Sequence, residues 1–182
     1  MPRINLPAAD QIPAASRPLL DAVKKQLGVV PNLMKVLSNS AAALGGYLSL
    51  NGALAAGALG AKTGERIALA IAEINRCGYC LAAHTYLGKN LAKLDDAEIA
   101  ANRNGTSTDA KADAAVRFAV KIAQARGHVA DSDVRAVQEA GFSSAEIMEI
   151  VVHVALNTLT NYVNEVAQTE VDFPVVSLPR AA

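Results

Sequence analysis

Cys77 and Cys80 stand three positions apart and are the only cysteines of the chain; His84 follows one helical turn after the second. On a helix advancing about 100° per residue, these three side chains fall within about 60° of one another. A thiolate with a partner thiol at this spacing can attack an oxidant, pass through a sulfenate and close to a disulfide, which completes a two-electron cycle. His84, four residues beyond Cys80, lies over the same face and can take or relay the thiol proton. A carboxylate would complete such a relay, and two are in range. Glu73 lies four residues before Cys77. Glu65 lies twelve before it, about 18 Å away along a straight helix, and reaches the site only if the chain folds back in between. The same residues also bear a metal reading: Cys77, Cys80 and His84 supply three ligands where structural zinc wants four, and His153 is the candidate for the fourth. Taken alone, His153 reads as a core histidine and His128, beside Gly127, as a surface residue.

The elements that must position these side chains are helices. Arg17 to Leu27 has helical apolar spacing and stops at Gly28; Pro31 opens Asn32 to Leu37. Ala41 to Leu59 reads as one apolar helix, with Gly45, Gly46, Gly52 and Gly57 allowing close backbone packing. Thr63 is a good N-cap for a helix running to Ile74. Asn75-Arg76-Cys77-Gly78 then reads as a break, which puts both cysteines at or just before a new helix N-terminus, where free N–H groups stabilise a thiolate. That helix runs through Leu81, His84, Leu87 and Leu91. Asp95-x-x-Glu98 and Ser143-x-x-Glu146 are capping-box patterns, Ala110 to Arg126 ends at Gly127, and Asp131 caps a helix that ends before Gly141. The last helix is apolar through Ile147, Ile150, Val151, Val154 and Leu159. It also carries Asn157, Asn161, Tyr162 and Asn164, which read more simply as packing than as a cavity lining. The tail from Phe173 to Pro179 reads as extended, lying on the body or on a neighbouring subunit. No phosphate loop, fixed-period repeat, strand pattern or strand before the CxxC is present, so the expected class is all-α, and a thioredoxin fold is disfavoured. The chain reads as one domain over 1–182, with a core of about 15–170, an irregular N-terminal arm and an extended tail.

Composition agrees. Seventeen basic and 17 acidic residues balance, which argues against nucleic acid as a partner. Apolar residues make up 52% but aromatics only 4%, and Trp is absent, so the core is built from small aliphatic side chains that suit close-packed helices. Val36 to Ala61 carries no charge, but its serines, asparagines and glycines favour a buried helix pair or subunit interface over a membrane span. No signal-peptide core follows Met1, and a lone CxxC pair builds no disulfide framework, so a cytoplasmic setting is expected.

The stretch from Gly64-Glu65-Arg66 to Glu73-Ile74-Asn75-Arg76-Cys77-Gly78-Tyr79-Cys80-Leu81-Ala82-Ala83-His84 resembles the alkyl hydroperoxidase D family of the carboxymuconolactone decarboxylase superfamily. The family pattern is a glutamate, eleven residues, Cys-x-x-Cys, then three residues before a histidine; Glu65, Cys77, Cys80 and His84 match it. Val30-Pro31-Asn32-Leu33 and the stretches Asn161-Tyr162-Val163-Asn164 and Asp172-Phe173-Pro174 are similar to its peroxidase-related branch. The resemblance implies an all-helical AhpD-like bundle assembling into trimers or hexamers, without cofactor or metal. It further implies Cys80 as the peroxidatic cysteine, Cys77 as the resolving one, and a proton relay of Glu65 with His84. The implied activity is thiol-dependent reduction of organic hydroperoxide or hydrogen peroxide, with a lipoyl or thioredoxin-like protein as reductant. Some members place a histidine directly before the second cysteine, where this chain has Tyr79. Two other readings compete: a lactone decarboxylase, whose superfamily members generally lack the CxxC pair, and a non-catalytic thiol sensor or metal-binding module that signals by changing assembly.

Overall fold

A computed structural model describes residues 2–177, and among these every regular element is helical. A 3₁₀ turn at Ala14–Ser16 leads into α1 (Arg17–Leu27), α2 (Asn32–Leu37), α3 (Ala41–Ala55), α4 (Ala61–Ile74), α5 (Gly78–Asn90), α6 (Asp96–Arg103), α7 (Ala110–Ala125), α8 (Asp131–Glu139) and α9 (Ser144–Ala167). No helix of the described residues is long and apolar enough to cross a membrane. The uncharged stretch is divided instead, with α2 ending at Leu37 and α3 starting at Ala41.

α4 is the axis. Ile67, Ala68, Leu69, Ala70, Ile71 and Ala72 are buried in succession, so the helix is enclosed around its whole circumference, as an all-apolar run requires. It packs on α5, α6, α7 and α9. One core forms between α4, α7, α8 and α9, around Ile67, Ile71, Phe118, Ile150 and Val154. A second forms where α1, α2 and α3 meet α5 and contains both cysteines, and a small third joins Leu69, Leu94 and Ile99.

Several boundaries differ from the sequence reading. α3 stops at Ala55 rather than Leu59. Gly57, just beyond it, lies against the Glu149 carboxylate, which accepts from Ala58 N at 2.9 Å and Leu59 N at 2.7 Å, so the chain there is tied to α9 instead of continuing the helix. Gly46 and Gly52 face open space rather than packed backbones, and Gly45 meets only the tip of Leu19. Thr63 lies inside α4, whose N-cap is Gly60. Asp131 is the first residue of α8, not its cap; Asp133 reaches back to Ala130 N at 2.9 Å. Ser143 and Glu146 form the full reciprocal box. Asp95 caps α6 as expected, but Glu98 does not return the bond, because its carboxylate is taken by Arg66, Asn102, Ser107 and Thr108.

The tail runs without regular structure from Thr169 to Ser177 and lies on the body: Phe173 packs edge-on against Tyr79, and Ser177 O accepts from Arg103 at 2.8 Å. Leu178 and Pro179 lie outside the described residues. At the other end, Arg3 N and Ile4 N donate to Ala167 O at 2.8 and 3.3 Å.

Candidate functional site

The fold-back between α4 and α5 is a tight backbone motif. Arg76 takes the left-handed conformation (φ 55), Arg76 N donates to Glu73 O at 3.1 Å and Cys77 N to Ala72 O at 2.9 Å. This is the Schellman pattern of paired bonds that closes a helix end. Cys77 emerges from it in extended conformation as the N-cap of α5. The helical hairpin so formed sets Glu65 on α4 opposite His84 on α5, and His84 Nδ1 lies 2.8 Å from Glu65 Oε2. Glu73 is not part of the cluster; it pairs with Arg103 at 2.8 Å.

Cys77 and Cys80 are free thiols, 0% and 2% exposed. Their Sγ atoms lie 2.7 Å apart, so closing a disulfide of about 2.05 Å needs only a small rotation. The backbone N–H of Cys80 donates to Cys77 Sγ at 3.3 Å, so the free donor of the helix start serves Cys77 rather than Cys80. Cys80 is held at about 7 by the hydrogen bond from Cys77, the His84 charge, and the amides of Asn164 and Asn161, against the opposing effect of burial. Cys77 is pushed strongly up by its hydrogen bond to Cys80, by burial and by the Cys80 charge. The two thiols are thus split into one that ionises near neutrality and one that stays protonated. For His84, burial favours the neutral ring, but the charge and hydrogen bond of Glu65, with the Cys80 charge, prevail and raise it.

Two small cavities adjoin here. One, of about 60 Å³, is lined by Cys80, Tyr47, Tyr79, Ala83 and Thr160. The other, of about 130 Å³, is lined by Glu65, Gly64 and His153. His84, Asn51, Leu156 and Asn157 border both, so the imidazole stands at the junction. Burial and the charges of Cys80 and Glu65 push the Tyr47 phenol up to about 12, which keeps it protonated. A larger cavity, of about 580 Å³, lies away from this chemistry, between α7, α8 and the loop after α6.

His153 stacks over Gly64, where an added Cβ would come within 2.8 Å of its ring. Burial pulls its pKa down, so it borders the Glu65 cavity as a neutral ring. Among the described residues, no group of three or more His, Cys, Asp or Glu is arranged to hold a metal. His128 is exposed. The Tyr79 hydroxyl donates to Asp172 Oδ1 at 2.8 Å and accepts from Leu33 N at 3.2 Å, so it anchors the tail and α2 and takes no place in a relay.

The sequence reading assigned Asn161 and Asn164 to packing rather than to the site. Asn164 Nδ2 donates to Cys80 Sγ at 3.3 Å, and Asn161 Oδ1 accepts from Asn75 Nδ2 at 2.9 Å. A signal was present: Asn157, Asn161 and Asn164 recur at helical spacing on an otherwise apolar helix, which sets them on one face.

Residues 41–125 match the sequence profile of the Carboxymuconolactone decarboxylase family. The chain thus has the AhpD-like fold, and part of it carries the sequence profile of that decarboxylase family. Among solved structures it is similar to an alkylhydroperoxidase AhpD core, an uncharacterized peroxidase-related protein from Ralstonia eutropha JMP134, with TM-score 0.83, 24% identity and coverage of 94% of this chain and 92% of that one. A peroxidase-related protein from Silicibacter sp. TM1040 gives 0.80, 24%, 93% and 91%. The debrominase Bmp8, solved without ligand and, as a variant, with 2,3,4-tribromopyrrole, is also similar; its ligand-free form gives TM-score 0.75, 16% identity, and 93% and 92% coverage. At these identities the likeness is one of fold. No curated protein matches.

Proposed function

We propose that this protein is a thiol-dependent hydroperoxide reductase. The observation that carries the reading is a thiol held near neutrality, Cys80, with a second thiol 2.7 Å away and a Glu65–His84 pair beside it. In the proposed cycle the Cys80 thiolate, its proton passed to His84, attacks one peroxide oxygen. The S–O bond forms as the O–O bond breaks, sulfur is oxidised by two electrons, and the departing alkoxide leaves as alcohol with a proton from His84. Cys77 then gives up its proton and attacks the Cys80 sulfur; an S–S bond replaces the S–O bond and water leaves. An external dithiol, such as a lipoyl or thioredoxin-like protein, returns both cysteines to the thiol form and is itself oxidised to a disulfide. The Glu65 charge keeps His84 protonated for the alkoxide, a role worth about 10²-fold or more in such reactions.

The debrominase shares the fold, so fold alone does not choose the activity. The weight rests on the cysteines. The test adds one equivalent of cumene hydroperoxide to reduced protein and follows loss of free thiols. Wild type is expected to lose two, Cys77→Ser to stop at a sulfenate, and Cys80→Ser to react no faster than a free thiol. Equal reaction of Cys80→Ser and wild type sinks the proposal.

Assembly into a homo-oligomer, a cytoplasmic setting, and a single functional domain spanning the chain belong to the same proposal. Assembly is supported by an exposed apolar stripe on α9 comprising Met148, Val151, Leu159, Tyr162 and Val166.

A further inference from the structure

Asn161 and Asn164 are 0% and 2% exposed and sit against the candidate nucleophile. Each leaves one half of its amide without a partner: Nδ2 of Asn161 and Oδ1 of Asn164 are buried and make no hydrogen bond. Unpaired buried polar groups are destabilising, and a native structure that keeps two side by side needs a reason. Their other halves are fixed. Asn75 Nδ2 donates to Asn161 Oδ1 at 2.9 Å, and Asn164 Nδ2 donates to Cys80 Sγ at 3.3 Å. The Asn161 amide also belongs to the set of groups that favour the Cys80 thiolate, although its geometry falls short of a full hydrogen bond. The face of α9 toward Cys80 therefore offers one spare donor and one spare acceptor.

A thiol or thiolate cannot use both. A sulfenic acid can: its oxygen accepts one hydrogen bond and its hydroxyl donates one. We infer that Asn161 and Asn164 form a cradle for the sulfenic acid of Cys80, Asn161 Nδ2 donating to the oxygen and Asn164 Oδ1 accepting from the hydroxyl. The cradle rests on the hydroperoxide-reductase reading, since that reaction supplies the oxygen. Its effect is to hold the S–O group in one orientation. Cys77, already in contact with Cys80 Sγ, can then attack sulfur along the line of the bond that must break, and a second peroxide meets a sulfenate whose oxygen is engaged.

The test uses Cys77→Ser protein, in which a sulfenic acid cannot be resolved internally. Treated with a fixed excess of hydrogen peroxide, it is trapped with dimedone at intervals and weighed by mass spectrometry, and the experiment is repeated with Asn161→Leu and Asn164→Leu added. The single variant is expected to hold a dimedone-reactive sulfenate. Each asparagine variant is expected to convert it to the sulfinic acid about tenfold faster under a fixed peroxide excess, with melting behaviour unchanged. Asn161→Ser, which withdraws the amide but keeps a small polar side chain, is the second variant should the leucine variants fail to fold. It is expected to shorten the sulfenate lifetime in the same direction. A sulfenate of unchanged lifetime in folded asparagine variants overturns the cradle and leaves the peroxidase reading standing. Absence of any sulfenate in Cys77→Ser alone overturns both.

Discussion

Glu65 meets His84 rather than Cys80, and the pH dependence of the thiol should expose whether the pair reaches the sulfur. The rate of Cys80 alkylation by iodoacetamide is expected to rise with pH through a midpoint of about 7, because the thiolate is the reacting form. In Glu65→Gln the imidazolium loses the charge that raises it, burial then favours the neutral ring, and Cys80 loses a cationic neighbour. The midpoint should therefore move up and the rate at neutral pH fall several-fold. An unmoved profile in that variant would show that the pair does not reach the sulfur. At this scale the sequence was informative about identity and poor about partners. Cys77, Cys80 and His84 could be grouped by helical spacing, but spacing left both Glu65 and Glu73 open, because one backbone turn decides between them, and only the family resemblance chose Glu65. Tyr79 and the asparagines were opaque for a related reason: their partners, Asp172 and Cys80, lie far away in the chain.

The hairpin of α4 and α5 depends on one residue in an unfavourable conformation. Arg76 is left-handed at φ 55, where a Cβ is disfavoured by about 1–2 kcal/mol. Arg76→Gly relieves that and makes the unfolded chain more flexible. The net expectation is a gain of somewhat under ~1 kcal/mol, seen as a rise of about 2 °C in Tm by calorimetry. Gly64→Ala should act oppositely, since its Cβ would meet the His153 ring at 2.8 Å and overpacking destabilises by about 1–3 kcal/mol. α6 is tied to α4 by Glu98, whose carboxylate accepts from Arg66 Nε at 2.7 Å with both side chains nearly buried. Burial alone would raise Glu98, but bonds from Ser107, Thr108 and Asn102 carry it down to about 2. A depressed carboxylate stabilises above its ordinary range, and that contribution drains away as pH falls toward about 2. Glu98→Gln strands Arg66 and should destabilise by about 3–5 kcal/mol in urea melts at neutral pH. Helix existence and the break at 75–78 were legible from spacing, glycine and caps. The errors fell where a distant side chain took over a local role, as Glu149 does beyond α3 and Arg66 does for the Glu98 half of a capping box.

On the scale of the molecule, α9 changes character along its length: Ile147, Ile150 and Val154 face the core in its first half, and its second half is inverted. Its asparagines and Thr160 face the core, while Met148, Leu159, Tyr162 and Val166, 59%, 41%, 60% and 60% exposed, face outward. In that second half hydrophobic periodicity alone assigns the core to the wrong side, which is why the polar stripe looked like mere packing. An apolar stripe along a 24-residue helix is the kind of surface that marks an interface. Replacing Leu159 and Tyr162 together by Asp should reduce the molar mass measured by light scattering, with helicity retained. An unchanged mass in a folded variant would place any assembly on another face.

The candidate site joins segments made far apart in time. Cys80 and its turn come from one hairpin, whereas Asn164, which holds the sulfur, and Asp172, which holds Tyr79, lie 84 and 93 positions beyond their partners. At about 5–20 residues per second, ribosomal synthesis leaves roughly 5–20 s between them. During that interval both thiols are present on an incomplete chain, without the asparagine that partners Cys80 or the tail that anchors Tyr79. The pair is therefore most exposed to unwanted oxidation before the protein is finished, and the speed of translation sets the length of that window.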